Sequence, residues 1–164
     1  MPDCSRHLAE SLRSGRFQYR TILVPQPAVA SGFSFTIDSL GYFQPLSVRA
    51  VFAADATVSS RVARLEYQDG DGIDFVRFPS PVAVVAGQVA TWNWIENYGV
   101  LDSVALFAHA APLSDWLLLP GWRVALNIAS IQAGDQVSAV RIFGRDWVTL
   151  TDAQTAVAER MEDL

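Results

Sequence analysis

The chain has 164 residues, 51% of them hydrophobic, and a formal net charge of −5. That length suits a single domain with a substantial core, and the acidic balance argues against a nucleic-acid binder, which would carry a basic patch. Cys4 is the only cysteine, so an intrachain disulfide is excluded, and no apolar run reaches the length of a membrane helix.

All 12 basic residues are arginine. Guanidinium groups pair bidentately and stack on aromatic rings, which suits contacts between proteins. Positive charge gathers in residues 1–20, with Arg6, Arg13, Arg16 and Arg20 against Asp3 and Glu10. Negative charge gathers in 146–164, with Asp146, Asp152, Glu159, Glu162 and Asp163 against Arg160. Such ends can attract each other, within one chain or between copies. Met1 to Gly15 carries charges throughout and has no apolar signal-peptide core. The expectation is a protein that stays in the cytoplasm or assembles there into something larger.

In chain order, Ser5 caps a short helix through Ser14, with Leu8 and Leu12 on one face and Gly15 as its stop. Phe17 to Val24 reads as extended and ends in Pro25-Gln26-Pro27, a pattern of linkers and sheet edges. Residues 1–30 therefore read as an arm. Its Leu8, Leu12, Arg13, Arg16, Phe17, Tyr19 and Ile22 are the candidate contacts to a neighbouring subunit, to which the arm would add a helix or strand.

Residues 31–148 read as the domain. Phe33, Phe35 and Ile37 alternate with polar residues, as do Leu46, Val48, Ala50 and Phe52, which marks two half-buried strands. Val58 to Tyr67 and Ile73 to Phe78 flank Gln68-Asp69-Gly70-Asp71-Gly72, a hairpin turn. Val82 to Ala86 is a short strand or loop. In Gln88 to Glu96, Ala90, Trp92 and Trp94 share one face. Val100 to Ala110 is nearly continuous in apolar residues and reads as a buried strand. In Trp122 to Ala129, Trp122, Val124, Leu126 and Ile128 share a face. Ala133-Gly134-Asp135 then turns the chain into Val137 to Phe143, so this stretch reads as an antiparallel pair. Residues 149–164 read as a helical tail, with a Thr151-x-x-Gln154 capping box and a helix over 152–162.

Short strands separated by turns, without alternating helices, predict a mainly β chain. The predicted architecture is an antiparallel β-sandwich, jelly-roll-like, with an N-terminal arm and a short C-terminal helix. A barrel is the alternative.

Catalytic groups are sparse. His7 lies in the arm, and His109 sits in an apolar run where it reads as a core or rim residue. Cys4 has no histidine placed to activate it. No nucleophile elbow, zinc motif or phosphate loop occurs, so no enzyme is expected and no cofactor. Asp69, Asp71 and Asp74 sit on a Gly-rich loop of the kind that can take calcium, but EF-hand spacing is absent and a hairpin turn accounts for them. Trp92, Trp94 and Tyr98 form a candidate sugar-stacking platform, to which Trp116, Trp122 and Trp147 can contribute. Tryptophans alternating in a strand more often fill a core or a subunit interface.

Three segments carry a resemblance. Leu117–Val124 reads L-L-L-P-G-W-R-V, and Ile131–Ile142 reads I-Q-A-G-D-Q-V-S-A-V-R-I. Upstream, Asp55-Ala56-Thr57-Val58 is followed by Arg61 and a strand ending in a D-G turn. Over roughly residues 45–143 the pattern resembles small virion structural proteins of tailed bacteriophages. The resemblance implies a β-sandwich subunit of a phage particle. A rigid body that needs no active site, with oppositely charged ends that can lace neighbours, makes decorating or cementing the capsid the first expectation. Implied partners are further copies of itself and the major capsid or other virion proteins, with no nucleic acid and no membrane. The place would be the virion, assembled in the host cytoplasm. A head–tail connector or tail position and a glycan-binding role in host attachment are the alternatives.

Overall fold

The computed structural model describes residues 17–38, 41–96, 101–103 and 108–148. Within them the chain forms ten strands and no helix. These are β1 (Phe17–Leu23), β2 (Phe33–Thr36), β3 (Gly41–Ala53), β4 (Val62–Gln68), β5 (Asp74–Pro79), β6 (Val89–Glu96), β7 (Leu101–Ser103), β8 (Ala108–Leu113), β9 (Arg123–Ala129) and β10 (Gln136–Val148). The helices expected at 5–14 and 152–162 lie outside the described residues, as do Leu8, Leu12, Arg13, Arg16 and Tyr98.

The strands form two sheets, ordered β1-β10-β3-β6-β8-β7 and β2-β9-β4-β5. The alternation in the sequence explains how they meet. Val48, Ala50 and Phe52 of β3 and Ala90, Trp92 and Trp94 of β6 point inward from the larger sheet. Ala63, Leu65 and Tyr67 of β4 and Val124, Leu126 and Ile128 of β9 point inward from the smaller one. All twelve belong to one buried cluster, so the two apolar faces share a single core. Each large side chain buried in this way contributes about 1.5–3 kcal/mol relative to exposure.

Three expectations need correction. First, Trp122–Ala129 and Val137–Phe143 are not paired with each other. β9 lies in the four-stranded sheet and β10 in the six-stranded one. The turn between them carries the chain across the core, with Ser130 in the left-handed region at φ 60° and the Asp135 amide donating to the Gln132 carbonyl at 3.0 Å. A period of two identifies the buried face of a strand, but not the sheet that receives it.

Second, Phe17–Leu23 is part of the body. It pairs along its whole length with β10, from Phe17 opposite Trp147 to Leu23 opposite Arg141. No structural boundary therefore separates this stretch of the expected arm from the domain. Third, the pairing is not antiparallel throughout, because β6 and β8 run parallel. β7 then pairs antiparallel with β8 and forms the edge of the larger sheet among the described residues.

Close approach requires one glycine in particular. A Cβ at Gly32 would lie 1.7 Å from the Leu126 carbonyl oxygen, so the chain enters β2 against β9 only without a side chain there.

Candidate functional site

Two features stand out, one buried and one exposed. The buried one joins two loops, the β3–β4 and β9–β10 connections. Asp55 follows β3, Arg61 immediately precedes β4, and Asp135 immediately precedes β10. Arg61 and Asp135 are completely buried. Arg61 Nε donates to Asp135 Oδ2 at 2.9 Å, and Nη2 donates to Asp135 Oδ1 at 2.9 Å and to Asp55 Oδ1 at 2.6 Å. Nη1 donates to the carbonyls of Thr57 and Ser59 at 2.9 and 3.2 Å. Asp135 also accepts from the backbone amides of Asp55 and Gln132 at 2.8 and 2.7 Å. Asp55 accepts from the Thr57 and Gly134 amides at 2.9 and 3.2 Å.

Every guanidinium nitrogen is thus used within the protein, and the arrangement has no free donor for a ligand. Its chemistry is that of a staple. Hydrogen bonding to Asp135, against the opposing effect of burial, holds the Arg61 pKa above its ordinary value. For Asp135, burial alone would raise the pKa. The bonds from Arg61 and from the Asp55 and Gln132 amides outweigh it, and the net shift is downward. The sequence offered a partial signal here, since Asp135 closes the Ala133-Gly134-Asp135 turn that leads into β10. Its convergence with Asp55 and Arg61 was not visible from spacing, because 74 positions separate Arg61 from Asp135.

The exposed feature is the outer face of β1 and β10. Ile22 points into the core, so Tyr19, Thr21 and Leu23 point away from it. Tyr19 and Leu23 are 60% and 69% exposed, and Phe143 is also exposed. Tyr19 stacks on Phe143, with centroids 5.6 Å apart and planes within 10°. Phe17 meets Tyr19 edge-on at 5.3 Å, and the Arg145 guanidinium lies 5.1 Å from the Phe17 centroid. Together these side chains make an aromatic stripe. β1 is also an edge strand, hydrogen-bonded to β10 alone among the described strands. An apolar stripe on an open edge is suited to receive another chain.

Of the expected arm contacts that are described, Phe17 and Tyr19 lie on this stripe. Ile22 does not, because it is buried within the chain itself. The sugar platform is not available at Trp92 and Trp94, each 1% exposed. Trp92 stacks on Phe52 at 4.9 Å, and Trp94 Nε1 donates to the Phe78 carbonyl at 3.1 Å. The indoles fill the core and leave no face for a sugar. His109 is likewise buried, in β8.

Asp69, Asp71 and Asp74 do not converge on an ion site, and no metal-binding cluster occurs among the described residues. Asp69 Oδ1 accepts from the amides of Asp71 and Ile73, closing the turn. Asp74 instead accepts from Gln68 and Arg77, which lowers its pKa.

Glu66 was not anticipated. Leu65 and Tyr67 point inward, so Glu66 belongs to the outer face of the smaller sheet, yet it is buried. Its Oε1 has no hydrogen-bond partner and sits 3.6 Å from Arg64 Nε. Burial, with the Asp74 charge adding to it, raises the Glu66 pKa, and Arg64, Arg77 and Gln68 offset this only in part. A carboxyl with a raised folded pKa favours folding below its unfolded value of about 4.3, and loses that contribution as pH rises through the folded value. Glu66→Gln is accordingly expected to raise the thermal midpoint at pH 7 more than at pH 4, measured by calorimetry on both proteins. An equal change at both pH values would contradict this account of Glu66.

No protein-family model matches the chain, and no curated protein does. Among solved structures, a chain of infectious bursal disease virus, Gx strain, is similar at 15% identity and a TM-score of 0.39, over 80% of this chain and 33% of that one. The Gt strain gives 15% identity and a TM-score of 0.33, over 81% and 34%. A mutant VP2 protein of the same virus, from derived T=1 particles, gives 15% identity and a TM-score of 0.34, over 81% and 32%. The chain spans about a third of the length of each.

Proposed function

We propose that this chain is a non-enzymatic structural subunit of a tailed-bacteriophage particle, built on a jelly roll, that decorates or cements the capsid. Its partners are other copies of itself and the major capsid or other virion proteins. It works without a cofactor, nucleic acid or membrane, and is incorporated into virions in the host cytoplasm.

The fold reading rests on strand order. β1-β10-β3-β6 faces β2-β9-β4-β5, and the first four strands alternate between the sheets. A doubled Greek key winds a long hairpin in this way, and β7 and β8 extend one sheet beyond it. The assembly reading rests on one observation, the exposed aromatic stripe along the open β1 edge. Symmetry would multiply a modest contact there into stable association.

The test places charge on the stripe without touching the core. Tyr19→Lys combined with Leu23→Lys is expected to leave thermal unfolding nearly unchanged, since both side chains are exposed. Association with itself in sedimentation velocity, and co-sedimentation with particles, should be lost. A variant that still associates and binds particles would remove the stripe from the assembly reading. Copy number per particle separates capsid decoration from a head–tail connector or tail position, since a lattice position is occupied many times and a connector in a single ring.

A further inference from the structure

A cleft of ≈ 560 Å³ opens beside the aromatic stripe, lined by Gln44, Asp115, Trp116, Leu117, Arg145 and Trp147. Its size falls in the range of small-ligand sites. We propose that it binds a neutral pyranose oligosaccharide, with Trp116 as the stacking platform.

The walls carry the argument. Trp116 is 42% exposed and is held from behind, its ring 5.4 Å from that of Phe75. An indole fixed on one side and open on the other offers a flat apolar face at little entropic cost. One face of a gluco-configured pyranose is likewise flat, made of axial C–H bonds, with its hydroxyls around the rim. Such a rim needs donors and acceptors in a fixed arrangement, and the cleft has both. The Gln44 amide is buried and locked, since its Nε2 donates to Asp115 and its Oε1 accepts from Arg145 Nη1 at 3.4 Å. Arg145 is held by its stacking on Phe17. Arg145 Nε and Trp147 Nε1 also have no hydrogen-bond partner, but both atoms are buried, so the donors that a rim can meet belong to the outer end of the Arg145 guanidinium. Asp115 is exposed and presents acceptor oxygens.

Charge selects the class of sugar. The Arg145 guanidinium and the Asp115 carboxylate both line the cleft, and the Glu96 carboxylate, outside the lining, lies 3.5 Å from Gln44 Nε2. The balance of one positive against two negative groups disfavours acidic sugars. This site is separate from the buried Trp92 and Trp94, and it does not depend on the assembly reading.

The experiment uses saturation-transfer NMR and calorimetry on the full chain, with cellotetraose and chitotetraose as probes and sialyllactose as the acidic comparison. At least one neutral probe should bind saturably, and sialyllactose should bind at least tenfold more weakly. Trp116→Ala should weaken binding at least tenfold. Asp115→Asn, which keeps the cleft's shape, should weaken it several-fold and serves as the deciding variant if Trp116→Ala disturbs folding. Absence of saturable binding to either neutral probe, preference for sialyllactose, or undiminished affinity in both variants would overturn the proposal.

Discussion

Asp135→Ala is expected to lower the unfolding free energy by about 3–5 kcal/mol, because it leaves a buried guanidinium without its main counter-charge. Against a typical total of about 5–15 kcal/mol, that is a loss large enough to threaten folding. The Asp55 and Gln132 amides would lose their acceptor as well, adding unsatisfied donors at the same place. Denaturant unfolding measures the effect directly. Removing both charges, as in Arg61→Met with Asp135→Leu, should recover only the share due to the uncompensated guanidinium, because the Asp55 and Gln132 amides stay unpaired.

The pH dependence has a definite sign. The folded Asp135 pKa is depressed, so its contribution is present above the unfolded value of about 3.9 and fades as pH falls through the folded one. The gap between the native chain and Asp135→Ala should therefore close in acid. A gap that stayed constant down to acid unfolding would show that the carboxylate charge is not what stabilises the two loops.

Trp94→Ala should cost about 3–5 kcal/mol, the usual range for truncating a large buried aromatic residue. Trp94 projects from the larger sheet, and its Nε1 donates to the Phe78 carbonyl of the smaller one. The residue is therefore both core volume and a hydrogen bond between layers. Trp94→Phe separates the two roles. It keeps most of the ring and loses the donor, so the remaining deficit, about 1–3 kcal/mol, belongs to the unpaired carbonyl. A fall in the denaturation midpoint with an unchanged slope would assign the effect to native stability. If Trp94→Ala cost under about 1 kcal/mol, the indole could not be the cross-layer anchor described above.

Much of the strand content was legible because burial on one face leaves a period of two. Trp92 and Trp94 fell on the same face in sequence and in structure, and the D-G turn after Gln68 does join β4 to β5. The inward reading of Val124, Leu126 and Ile128 holds for the same reason. That Trp92 and Trp94 are closed to a sugar could not be read there, because periodicity cannot say whether an aromatic face meets solvent or a second sheet. The cleft around Trp116 was not legible, since Gln44, Asp115 and Arg145 come from three distant segments. Glu66 was invisible as well. Alternation places it outward, and only neighbouring strands and loops cover it.

The sequence by itself determined which residues turn inward, where most turns fall, and that charge pairing would rely on arginine. Those are local consequences of side-chain chemistry and backbone sterics. Only the tertiary structure decided that β9 and β10 belong to opposite sheets. It also decided that Phe17–Leu23 closes onto β10, and that Asp55, Arg61 and Asp135 meet in one buried staple. Each of these depends on which distant segment a strand or loop packs against, a choice made by the core as a whole and not written into any single stretch.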